Sequence, residues 1–151
     1  NGSVKLNKEQ LKGLSHRMTD DQTASNFQGH AYKKDGLLIY YINLSAFPDH
    51  PERRHSLESK QKMLVAMLSG NSELKSGDTS IIDDAEMITV NDVKYSIIKY
   101  HKDDNVTIKF TSDYDKKGGF INGFIEYKTS NEVEAKQYLH DLLGSMHFKN
   151  N

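Results

Sequence analysis

Hydrophobic positions recur with two different periods along this chain, and the switches between them mark its elements. Residues 1–6 predict a disordered or extended lead-in. Leu11, Leu14 and Met18 share one face of a helix predicted at 8–18, with Asn7 as its cap and Gly13 weakening it. The polar stretch 19–26 reads as a loop. The period then drops to two. Residues 27–33 and 37–45 flank Lys34-Asp35-Gly36, and Asp-Gly supplies the positive φ that a tight hairpin needs. The second arm, Leu37 to Leu44, is apolar on both faces, which predicts a central strand covered on both sides.

Pro48 and Pro51 break that strand. Helical spacing resumes over about 52–69, with Leu57, Gln61, Leu64 and Leu68 along one face and Gly70 as the stop. After a polar loop at 70–79, four strand-like segments follow at about 80–90, 93–101, 105–112 and 120–128, with turn signals at Asn91-Asp92 and Asp103-Asp104-Asn105. In the third, Val106, Ile108 and Phe110 alternate with Thr107, Lys109 and Thr111, which predicts one wet face. A last helix is predicted at 131–146, with Asn131 and Glu134 as a capping box and Ala135, Leu139, Leu142, Leu143 and Met146 as its apolar stripe. Phe148 is expected to close over its end. Short turns between strands imply antiparallel pairing. The fold class read from this order is α+β: a mostly antiparallel, curved sheet with an inserted helix and a C-terminal helix packed on it. No internal repeat or long linker divides residues 1–151, so a single domain is expected.

Composition narrows the function. Twenty basic against 21 acidic residues leave a net charge of −1, which argues against a general nucleic-acid binder. With no cysteine, thiolate zinc sites, disulfides and cysteine nucleophiles are excluded. No apolar run approaches the roughly 20 residues of a membrane-spanning helix. The chain opens on Asn1 rather than Met. The reading favours a removed targeting segment, with a possible lipid anchor upstream, over an internal start.

The second half carries a further pattern: paired strands around Ile88 to Tyr95, the strand 105–111, Phe124-Ile125-Glu126-Tyr127, and a closing Leu142-Leu143-Gly144-Ser145-Met146-His147-Phe148-Lys149. The form Leu-Leu-x-Ser-hydrophobic-x-Phe-Lys resembles the C-terminal signature of the PsbP-like superfamily. That fold is also used by a Ran-binding import factor, DcrB-type bacterial lipoproteins and type VI secretion adaptors. The resemblance spans roughly 27–149 and implies a curved antiparallel sheet between helices. It also implies a non-enzymatic role in protein binding or assembly. It carries no site motif, so it transfers no functional residue. A cystatin-like cone is the structural rival, although that fold places its long helix before the main sheet.

The densest local chemistry is Asp49-His50-Pro51-Glu52-Arg53-Arg54-His55. Asp49, His50 and His55 could ligate a divalent ion, but His-x4-His matches no catalytic motif. The plainer reading is a solvated loop in which Asp49 caps the following helix. His101, at a strand end near Asp103 and Asp104, could be a carboxylate-oriented base, though turn chemistry explains the same acids. Lys116-Lys117-Gly118-Gly119 reads as a hairpin tip rather than an anion loop. Strand tyrosines suit a protein partner.

The expected function is therefore a non-catalytic protein-binding or assembly module acting outside the cytoplasm, periplasmic or secreted and of bacterial type. It would use no cofactor and would meet a protein partner rather than nucleic acid. The interaction residues expected are Phe47, Asp49, His50, Arg53, Arg54, His55, Tyr95 and Tyr100. Two alternatives stay open. One is a metal-dependent or acid/base enzyme using the 49–55 loop. The other is a carrier of a small apolar ligand, held between sheet and helices and lined by Met63, Met67, Met87 and Met146.

Overall fold

The computed structural model describes residues 4, 5, 29–70 and 80–146. The helix expected at 8–18, the loop at 19–26, all but the first residue of the 70–79 loop, and Phe148 lie outside them. In chain order the elements are β1 (Val4–Lys5), β2 (His30–Lys34), β3 (Leu37–Ser45), a 3-10 turn (Pro51–Arg53), α1 (Leu57–Leu68), β4 (Ile81–Val90), β5 (Val93–Lys102), β6 (Asn105–Ser112), β7 (Gly119–Lys128), a 3-10 turn (Thr129–Asn131) and α2 (Glu132–Ser145).

The strands form one antiparallel sheet in the order β1-β2-β3-β7-β6-β5-β4. Tight turns set its registers. Asp35 and Gly36 take φ of 49° and 82°, and Asn91 and Asp92 take 51° and 65°. Two successive left-handed residues are the hairpin geometry that matches strand twist. They lock Lys34 opposite Leu37 and Val90 opposite Val93. The connection through α1 carries the chain from β3 to the far edge strand β4. The α+β architecture, the inserted helix and the terminal helix are those the pattern predicts.

Alternation puts two side-chain sets on opposite faces. On one face Ile39, Ile97, Ile108, Phe110, Ile121 and Ile125 form the main core, closed by Ala135 and Leu143 of α2. On the other face Ala31, Tyr40, Ile42 and Phe124 form a second cluster. Further along that face α1 crosses β5 and β4, where the Gln61 amide donates to the Ser96 hydroxyl at 3.1 Å and the Glu86 carbonyl at 2.9 Å. Strand β3 contributes to both clusters, as its two-sided apolar pattern predicts.

Three local expectations are corrected. The 105–112 strand has no wet face: Thr107, Lys109 and Thr111 are buried alongside its apolar positions. It lies inside a sheet covered on both sides, so a polar alternation is satisfied internally rather than by water. Thr111 donates to Asn122 at 3.2 Å. Burial pulls the Lys109 ammonium down to about 8. The helix expected from 52 begins at Leu57, because the Ser56 hydroxyl accepts from the Ser59 amide and caps it there. Asp49 is not the cap. The Asn131–Glu134 capping box does not form: Asn131 makes no side-chain cap bond, and α2 is entered through the Thr129–Asn131 turn.

Candidate binding loop

Residues 46–55 leave the sheet at the end of β3 and return into α1. Two prolines restrict this stretch, and Phe47 takes a φ of 45°. A left-handed backbone is costly for a residue with a bulky side chain and persists only where its surroundings enforce it. Arg54 is the enforcer. Its Nε donates to the Ala46 carbonyl at 2.9 Å, and its terminal nitrogen donates to the carbonyls of Phe47 at 3.0 Å and Pro48 at 3.4 Å. The rigid guanidinium fork thus reads three successive carbonyls. Holding the Arg54 backbone extended for this task interrupts the helix.

A second loop, 113–118, buttresses the first. The Ala46 amide donates to the Gly118 carbonyl at 3.0 Å. Gly118 takes a φ of 86°, and a Cβ there would sit 2.4 Å from the Ala46 carbonyl oxygen. Asp115 organises this loop by accepting from the Lys117 and Gly119 amides, each at 2.8 Å. The Tyr114 hydroxyl donates to the His55 carbonyl at 2.9 Å. Tyr114 meets Phe120 edge to face at 5.4 Å between centroids. The Lys60 amine of α1 lies 3.9 Å from the Phe120 centroid and 4.6 Å from that of Tyr114. It has no hydrogen-bond partner among the described residues. Burial lowers its pKa to about 8, against the pull of Asp113. The Tyr114 hydroxyl is pushed up by burial first and by Asp113 second, offset by Arg54.

On this support the loop presents Phe47, 42% exposed, with the Arg53 guanidinium 4.7 Å above its ring. Asp49, His50, Arg53 and His55 are exposed, and Arg54 is half-buried. His50 Nδ1 lies 3.1 Å from Glu52 Oε1, so the acid it pairs with is Glu52. Among the described residues no group of three or more His, Asp or Glu side chains is placed to hold a metal.

The other expected site residues are elsewhere. Tyr95 is fully buried in the core under α2 and offers no surface; its hydroxyl has no hydrogen-bond partner among the described residues, and burial raises its pKa. It falls inward because its neighbours Ile97 and Val93 share its face of β5. Tyr100 is half-buried on the opposite face. His101 pairs with Asp83 across the β4–β5 ladder, at 2.9 and 2.8 Å to its two oxygens, and not with Asp103 or Asp104. Nearby, Glu132 bonds Lys99 and accepts from the Tyr127 hydroxyl at 2.9 Å. A cavity of about 380 Å³ lies not between sheet and helices but at the β2–β3 tip, among Lys33, Lys34, Asp35, Glu126 and Lys128. None of the four methionines lines it. Sequence reasoning missed Lys60, Tyr114 and Phe120, which only the fold brings beneath the loop. The Asp115-x-x-Gly118-Gly119 spacing was the available signal for a structured neighbour.

No protein-family profile matches the chain, and no curated protein sequence matches it. Among solved structures it is similar to the solution structure of cyanobacterial PsbP (CyanoP) from Synechocystis sp. PCC 6803, with a TM-score of 0.56 at 12% identity over 97% of this chain and 82% of that one. At that identity the likeness is one of fold. The chain has a PsbP-like α+β fold. No helix among the described residues is long and apolar enough to cross a membrane.

Proposed function

We propose that this chain is a non-catalytic protein-binding or assembly module that meets its partner through the 46–55 loop. The observation that carries the reading is the pinned Phe47–Arg53 pair. An aromatic ring is held outward on a left-handed backbone, and three carbonyl bonds from Arg54 maintain it there. The residue stays 42% exposed with the Arg53 guanidinium over its ring. Aromatic and arginine side chains dominate binding energy at interfaces when their geometry is fixed beforehand. Balanced net charge and the PsbP-like fold support a protein partner over nucleic acid. On the same reading the protein acts outside the cytoplasm, periplasmic or secreted, as a bacterial DcrB-like protein or secretion adaptor would.

Affinity capture from native membrane and soluble fractions tests this, comparing the wild type with Phe47→Ala/Arg53→Ala. Both side chains are exposed, so the variant keeps its fold. The expected result is a stoichiometric protein captured by the wild type and lost from the variant. Equal capture by both would remove the loop as the contact surface.

A further inference from the structure

Among the described residues the sheet ends at β4, whose ladder runs to β5 on one side only. It is ten residues long, and Asp83, Asp84, Ala85 and Glu86 form an exposed run along it. A bulge at Asp83 shifts the register, so that Ile82 faces Tyr100 and Asp84 faces Lys99. Bulges and charges ordinarily discourage edge-to-edge pairing. Here they occupy the first half alone. From Met87 to Val90 the strand is uncharged and proline-free, and it keeps regular register against Ser96 to Val93.

The charges also have a direction. Asp84, Glu86, Ile88 and Val90 share one face of the strand. Asp83 is taken by His101, and Lys99, opposite Asp84, is turned to Glu132. Among the described residues, Asp84 and Glu86 make no ion pair. Ile88 and Val90 are partly buried against the core beside α2. An added antiparallel strand would therefore meet, in its own order, two apolar positions and then two carboxylates, at every second residue.

We propose that the β4 edge is a strand-addition site for an extended basic segment of a partner protein. That segment reads apolar-x-apolar-x-Lys/Arg-x-Lys/Arg and pairs antiparallel with residues 84–90. Backbone hydrogen bonds supply the affinity. Asp84 and Glu86 select the sequence, because a neutral or acidic strand gains nothing there or is repelled. This site is independent of the Phe47 loop.

The probe is an acetylated, amidated octapeptide, Val-Thr-Val-Thr-Lys-Thr-Lys-Thr, alongside a version with Glu for Lys. Amide chemical shifts and hydrogen exchange of the full chain locate the binding. The expected result is protection confined to residues 83–90 with the Lys peptide only. Asp84→Lys/Glu86→Lys should weaken it by roughly tenfold, two cross-strand charge pairs' worth, while Phe47→Ala leaves it unchanged. Both variants alter exposed side chains, and retained thermal unfolding checks their fold. Four results would overturn the proposal: equal binding of the Glu peptide, protection elsewhere, no binding, or pairing of β4 with a second copy seen by sedimentation.

Discussion

Replacing Lys60 with Met should stabilise the protein at neutral pH, and the gain should vanish in alkali. The Lys60 ammonium sits against two aromatic faces with no hydrogen-bond partner among the described residues, and burial lowers its pKa from 10.5 to about 8. Taken at face value, that depression corresponds to roughly 3 kcal/mol of cost for the charged form. The side chain is only partly buried, so solvent screening reduces it to about 1–2 kcal/mol. Methionine keeps the length of the stem and replaces a cation–π contact with a sulfur–aromatic one, an exchange of about 0.5 kcal/mol either way. The net expectation for Lys60→Met at pH 7 is a gain of about 1 kcal/mol. Below pH 8 the folded protein carries the charge, and the cost is present in full. Between pH 8 and 10.5 the unfolded chain binds the proton that the native one has released, so wild-type stability rises with pH. The advantage of the variant should therefore shrink across that window. Urea unfolding of both proteins at pH 6.5, 7.5, 9 and 10 measures the difference, and subtraction removes the titration of shared groups. A loss of 1 kcal/mol or more at pH 7, constant with pH, would refute the reasoning. It would show that the aromatic box more than offsets desolvation.

Other outcomes follow from single contacts. Arg54→Lys keeps the charge but cannot serve three carbonyls, so it should cost about 1–2 kcal/mol in denaturant unfolding and speed amide exchange at residues 46–49. Gly118→Ala places a Cβ 2.4 Å from the Ala46 carbonyl oxygen at a left-handed φ, and should cost about 2 kcal/mol or more by the same assay. Ser56→Ala removes the α1 cap and should cost about 1 kcal/mol, with fraying at 57–60 seen by exchange. Phe110→Ala empties the centre of the main core, where Phe110 is fully buried, and should cost about 3–5 kcal/mol; a smaller change in thermal unfolding would mean that the site collapses around the cavity.

Both signals that proved most legible in the chain are local ones. Asp35-Gly36 and Asn91-Asp92 favour left-handed turns on their own, so the two hairpins could be read directly, although Lys34, read as part of the first turn, pairs with Leu37 in the strand. The candidate loop was legible as a dense run of charge between two prolines, but its working was not. Whether Arg54 points outward or turns back to three carbonyls depends on the 113–118 loop, some 60 residues later in the chain. Tyr95 and Tyr100 look alike as strand tyrosines; five residues apart, they fall on opposite faces. The sequence pattern did not say which face α2 would cover.

By itself, then, the sequence determined most of the described elements, their antiparallel pairing and the α+β class, because period, turn chemistry and breakers act within a few residues. Only the tertiary structure decided which polar side chains lost their water. Lys109 reads as a residue of a wet strand face, and Lys60 carries no sign of burial in the sequence; both lose water only in the folded layers, since burial is a property of the layers and not of the residue. It also decided that β4 would be the terminal strand of the sheet among the described residues. Strand order depends on where the α1 connection lands, and that is set by two apolar faces that had to be covered at once.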